Sequence, residues 1–153
     1  MLTCTPKGIC SYDYLISGKD GNAELIFDLW AETGEIRTND HHFYLTKRGL
    51  FSGKWSLETG SETLATAEKY SALTRQFDIM TEEGEVKLRA ESAFTRNTLL
   101  IGDGYSVRYY PVHAMTRRAT ISGEWKDFKV TVFGFWLTAL TWKRAQQSST
   151  AGS

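Results

Sequence analysis

Three arginines stand at equal spacing in a recurring frame. Ser71-Ala72-Leu73-Thr74-Arg75 leads to Ile79, Ser92-Ala93-Phe94-Thr95-Arg96 to Leu100, and His113-Ala114-Met115-Thr116-Arg117 to Ile121. The pattern Ala-apolar-Thr-Arg, with an apolar residue four positions after the arginine, therefore returns every 21 residues. Two strands and two turns account for such a period. With strands about 4.8 Å apart, equivalent residues would lie about 10 Å apart on one rim or face. A guanidinium offers a planar fork of donors suited to phosphate. Arg75, Arg96 and Arg117, with the adjacent Arg118, are thus candidate anion-binding residues. The plainer alternative is that threonine suits a strand and each arginine pairs with a neighbouring carboxylate, a weak and common contact.

Asp40-His41-His42 is the only other polar cluster with catalytic residue types. Neighbours on a strand point to opposite faces, so the two histidines are poorly placed to share one metal. An exposed loop is the expectation, and a hydrolase with an unfamiliar site there is the rival. The cysteines, Cys4 and Cys10, are too few for a disulfide framework and lack the second pair of a zinc ribbon. Two buried or frayed thiols are expected. There is no Gly-x-Ser-x-Gly elbow, P-loop or dinucleotide fingerprint. No catalytic residue, metal ligand or cofactor is assigned.

The 18 basic and 18 acidic side chains cancel. A zero balance argues against a dedicated nucleic-acid binder. The cancellation is uneven, however, with residues 1–100 at −4 and residues 101–153 at +4. An anionic partner would be sought in the last third. The first ten residues lack a basic stretch followed by an apolar run, so no secretory signal is read and a reducing cytoplasm is the default location.

The elements that would position these groups are mostly short strands. Val86-Lys87-Leu88-Arg89-Ala90-Glu91 alternates apolar and charged residues, the period of a half-buried strand. Candidates fall at 12–17, 23–30, 41–47, 53–58, 63–69, 73–80, 86–92, 96–101, 105–110 and 117–121. Turn chemistry lies between them at Glu32-Thr33-Gly34, Glu58-Thr59-Gly60, Glu82-Glu83-Gly84 and Gly102-Asp103-Gly104. This spacing suits an antiparallel barrel or sandwich.

Residues 126–144 break the pattern. From 130 to 142 no residue is charged, and apolar side chains surround every helical face. Such a helix is buried in protein or in lipid. Thirteen residues rise about 20 Å as a helix, short of the ~30 Å hydrocarbon core. A core helix at about 127–144 is expected over a pair of strands or a tail anchor, with Asp127 and Lys143-Arg144 suiting the helix dipole. The small polar stretch 146–153 is expected to fray.

A meander of short strands closed by a hydrophobic C-terminal helix resembles the tubby C-terminal-like superfamily, which includes the plant LURP-one-related proteins and the phospholipid scramblases. The likeness runs from Tyr12 to Arg144 and rests on element order, on 128–142, and on the stretch from Ala72 to Ile79. It implies a twelve-stranded antiparallel barrel around a central hydrophobic helix. For some members it implies association with lipid or phosphoinositide headgroups through basic residues. The expectation is therefore a mainly β fold: one domain, residues 1–145, with a closed barrel of about 10–12 short strands around a buried helix. Its expected role is non-enzymatic binding or scaffolding, with an anionic lipid surface, a phosphate group or a protein as partner and no nucleic acid. The rival is a barrel with an open interior holding a small hydrophobic ligand.

Overall fold

Along 84–90 the side chains of Val86 and Leu88 are buried and those of Lys87 and Arg89 exposed. The same alternation runs through most of the chain and gives every strand one dry face. The computed structural model describes residues 1–9, 11–28, 30–49, 52–69, 71, 74–113 and 115–151. Twelve strands precede one helix. They are β1 (Leu2–Pro6), β2 (Tyr14–Gly18), β3 (Gly21–Asp28), β4 (Thr33–Arg37), β5 (His42–Lys47) and β6 (Lys54–Thr59). Then come β7 (Glu62–Lys69), β8 (Phe77–Thr81), β9 (Gly84–Ala90), β10 (Thr98–Gly102), β11 (Tyr105–Pro111), β12 (Ala119–Glu124) and α1 (Phe128–Ala151). Each strand pairs antiparallel with the next, and β1 pairs with β12, so the sheet closes into a barrel.

Ten of these strands stand where the alternation placed them. β1 and β4 were not expected. β1 has only Leu2 and Cys4 to bury, and β4 only Ile36, too few to make a period visible. The Glu32-Thr33-Gly34 turn is corrected as well: Gly34 lies inside β4, opposite Leu45. A Cβ there would come within 2.6 Å of the Trp136 indole nitrogen, so glycine serves a close approach and not a reversal. The left-handed residue is Glu32 itself, at φ 53°.

The helix threads the barrel. From Val130 to Leu140 every side chain is buried. Its partners come from both sides of the β1–β12 seam. Phe135 meets Tyr14 of β2 edge-on, with centroids 5.0 Å apart, and Trp136 stacks on Phe27 of β3, also at 5.0 Å. On the other side of the seam, Thr138 Oγ1 lies 2.7 Å from Thr98 Oγ1 of β10, and Tyr109 Oη of β11 donates to the Thr131 carbonyl at 2.8 Å. Gly134 lets Tyr109 approach, because a Cβ there would collide with its hydroxyl. The threonines inside this apolar run donate to carbonyls four residues back: Thr131 to Asp127, Thr138 to Gly134 and Thr141 to Leu137.

Phe133, Phe135, Trp136, Leu137 and Leu140 are each at most 1% exposed. At about 1.5–3 kcal/mol per large apolar side chain, this one helix contributes on the scale of a whole domain's stability. The filled interior excludes the open-barrel ligand reading. Among the described residues no helix is long and apolar enough to cross a membrane. Cys4 is a free, buried thiol. Cys10 lies outside the described residues. The helix also continues past Arg144 to Ala151, through part of the stretch expected to fray.

Candidate functional site

The connections divide by end. One rim carries the short turns 19–20, 38–41, 60–61, 82–83 and 103–104, and the link 125–127 into the helix. The other carries five connections of six or seven residues, 7–13, 48–53, 70–76, 91–97 and 112–118, and the four-residue 29–32. The helix starts at the short-turn rim, where Asp127 Oδ1 caps it by accepting from the Lys129 amide at 2.9 Å. It emerges among the long connections. Lys143 and Arg144 fall well before its last residues, so they answer to neighbouring side chains rather than to the helix terminus.

The 21-residue frame places its arginines on the long-loop rim and its trailing Ile79, Leu100 and Ile121 in the dry faces of β8, β10 and β12. Arg75 and Arg117 bind backbone carbonyls. Arg75 Nη1 and Nη2 donate to the carbonyls of Thr95 and Ser92 at 2.9 and 2.7 Å. Arg117 Nη1 donates to the Ser11 carbonyl at 3.0 Å, and its guanidinium lies 4.4 Å from the Tyr12 ring. Arg117 adopts φ 54°, and its carbonyl accepts from Tyr14 Oη at 3.0 Å. Two of the three repeats thus stitch one long loop to the next. Arg96 is exposed beside the emerging helix, and its carbonyl accepts from Trp142 Nε1 at 2.8 Å. Arg118 is exposed on the same rim.

A second cluster joins the helix to this rim. Glu32 accepts from Lys47 Nζ at 2.6 Å and from Arg144 Nε and Nη2 at 2.7 and 2.9 Å. Burial opposes its charge, yet the lysine and the arginine outweigh burial and hold the carboxyl below its usual range. Trp55 lies beneath: its Nε1 donates to the Glu32 carbonyl at 3.2 Å, and the Arg144 guanidinium sits 5.3 Å from its ring. Burial and the Arg144 charge push the Lys69 ammonium down, while Glu32 pulls it up less. Lys143 is buried, which lowers it too.

Two cavities flank the emerging helix. One, of about 550 Å3, lies between Ile9, Tyr12, Met115, Arg96, Arg117 and Trp142. The other, of about 600 Å3, is bordered by Lys69, Arg75, Thr141, Arg144, Gln147 and Ser148, three cations with hydroxyls and an amide. Its described lining contains no carboxylate. Of its cations, sequence reasoning singled out only Arg75 as an anion-site candidate. Lys69 and Arg144 are distant in sequence and meet only because the helix leaves the barrel beside the end of β7.

The Asp40-His41-His42 cluster divides, with Asp40 and His41 on one cavity and His42 apart from them. His42 Nε2 lies 2.9 Å from Glu35 Oε2 and its ring stacks on Tyr44, whereas His41 stacks on Phe43 and lines a cavity of about 490 Å3 on the short-turn rim. Among the described residues no group of three metal-ligating side chains converges. Compared with known proteins, the chain matches no family model, no curated protein and no solved structure.

Proposed function

We propose that the chain is a non-enzymatic binding module whose long-loop rim takes an anionic group of the phosphate class. The observation that carries this reading is the cavity beside Lys69, Arg75 and Arg144, cationic on three sides with no described carboxylate in its lining. Burial, and then the Arg144 charge, already disfavour the Lys69 ammonium. An anion in the cavity relieves that, and the ammonium, with the guanidinium donors not spent on Glu32, Thr95 and Ser92, supplies charge-assisted hydrogen bonds. Thr141, Gln147 and Ser148 add neutral polar groups. The interior is filled by the helix, which leaves the rims as the surfaces for recognition. The barrel with its central helix is also the architecture that the tubby-like resemblance implies, and headgroup association in that superfamily agrees with an anionic ligand here.

Isothermal titration with inorganic phosphate and pyrophosphate tests the reading. Binding is expected, with the dianionic form favoured, and Lys69→Met should weaken it about tenfold, the effect of one charge-assisted hydrogen bond. Methionine keeps the length of the side chain while removing the ammonium, which lies 5.8 Å from the Phe77 ring centroid. Absence of heat with either ligand, or equal affinity in the variant, removes the reading.

A further inference from the structure

Four side chains on the long-loop rim are almost wholly exposed although they are large and apolar: Ile9 at 97%, Trp30 at 98%, Phe94 at 99% and Met115 at 86%. No other described large hydrophobic exceeds 72%. The four sit on four different connections, 7–13, 29–32, 91–97 and 112–118, spread around the barrel mouth. The remaining two long connections include Leu50, Phe51 and Leu73, which lie outside the described residues. The apolar member of the recurring Ala-apolar-Thr-Arg frame is thus, in its second and third copies, a loop tip rather than a core residue.

Charge follows the same division. The long connections and the helix from 143 onward hold Lys7, Arg48, Arg75, Arg96, Arg117, Arg118, Lys143 and Arg144 against Asp13, Glu32 and Glu91, a net +5. The short-turn rim, with the first turn of the helix, holds Lys19, Lys126 and Lys129 against Asp20, Asp40, Glu82, Glu83, Asp103 and Asp127, a net −3. The molecule is therefore a dipole whose positive end carries the apolar tips.

We infer that the long-loop rim docks on a bilayer, with Ile9, Trp30, Phe94 and Met115 entering the boundary between headgroups and acyl chains of an anionic leaflet. The charge part rests on the phosphate-class reading; the apolar part stands on the loop tips alone. Separate protruding side chains arranged around a ring meet a plane together, whereas a peptide or helix needs a continuous apolar groove. Tryptophan suits the interface, with an apolar body and a polar nitrogen. Arg48, Arg96 and Arg118 are exposed on the same rim, where an anionic surface attracts them. The emerged end of the helix, Gln146 to Thr150, is exposed and polar, which limits entry to the headgroup zone.

The test is co-sedimentation of the full chain with phosphatidylcholine vesicles, with and without phosphatidylserine. Binding is expected only with the anionic lipid and should fall as salt rises. The double variant Trp30→Ser/Phe94→Ser should lose at least about tenfold in partitioning, through lost apolar burial, while its far-ultraviolet circular dichroism and phosphate titration stay unchanged. Brominated lipids should quench fluorescence in the native chain and not in Trp30→Phe. Equal binding to neutral and anionic vesicles overturns the inference, as does full binding by the double variant. A self-associated species that the double variant disperses, with no vesicle binding, also overturns it. Phosphate binding without vesicle binding sinks the bilayer and leaves the proposed anion site standing; vesicle binding without phosphate binding does the reverse.

Discussion

At the short-turn rim, turns such as Gly60-Ser61 and Asp103-Gly104 reverse the chain as soon as the strands end. At the opposite rim the connections run to six or seven residues in most cases and hold side chains clear of the barrel. Both rims close the same twelve strands, so the sheet does not dictate the difference. Turn economy does. A two-residue reversal commits its residues to backbone geometry, as Gly60 at φ 55° and Gly104 at φ 75° do, and leaves little to display. A longer loop needs bracing of its own, and here Arg75 and Arg117 brace it through carbonyls of the neighbouring loop. The contrast teaches that the recurring arginines are first of all the framework of one rim. On the proposed reading a partner meets Lys69 beside them and the apolar tips above, while Glu32 holds Arg144 in place.

The helix is the axis that both rims share, and removing it should erase the contrast. Deletion after Trp125 takes away a contribution on the order of 5–15 kcal/mol, a domain's entire stability. Soluble expression and circular dichroism should show no folded protein, whereas a folded truncation would mean that the sheet closes on something else.

A subtler change should separate the rims. Glu32→Gln removes the carboxylate shared by Lys47 and Arg144 and should cost about 2 kcal/mol, less than for a fully buried pair because the site is partly wet. That corresponds to a fall in melting temperature of roughly 4–8 °C for a chain of this size. Because the folded carboxyl is held below its unfolded value, its stabilisation is full above the ordinary glutamate range, about 4.3. It is lost as pH falls through the lowered value. Protection of the amides at 33–37 and 141–147, relative to their intrinsic exchange rates, should therefore fall in acid in the native chain and be low but less acid-dependent in the variant. Protection at 128–131 should be unaffected, and a uniform fall at both ends would break the comparison.

The complementary probe is smallest. Asp127→Ala deletes the cap at the short-turn rim and should cost about 1 kcal/mol. Exchange should quicken at the first helical turn alone, with phosphate affinity unchanged.

Much of this architecture could be read from residue order. Alternation at 86–90 and 105–110 marked strands, and the unbroken apolar run of 130–142 marked a helix with no wet side. The limits are instructive in one tripeptide that occurs twice. In Glu58-Thr59-Gly60 the chain leaves β6 and turns at Gly60, as its residues suggest, while Glu32-Thr33-Gly34 enters β4, where Gly34 is closed in by the Ile26 carbonyl and Trp136. Local chemistry is the same in both; neighbours from elsewhere in the chain differ. The candidate site was legible in the same partial way. Periodicity found Arg75, Arg96 and Arg117 and implied a common rim. It could not find Lys69 with Arg144, which meet only through the path of the helix, or Glu32 with Lys47, which the pairing of β4 with β5 brings to one rim. Nor does an apolar residue in a frame announce whether it points inward, and Phe94 and Met115 do not.

The order in which the core is assembled has a consequence for synthesis. The wall is encoded first and its filling last, and the strand that seals the wall, β12, follows all the others. A nascent chain leaving the ribosome is therefore a growing meander whose inner face stays wet until the segment 128–142 clears the exit tunnel. Closure also joins residues 2–4 to residues 119–121, a pairing across almost the full sequence. Such long-range contacts make folding slow and late. During that interval the unfilled sheet is open to chaperones and to other unfinished copies, so the time until 128–142 emerges sets how much of the protein survives its own manufacture.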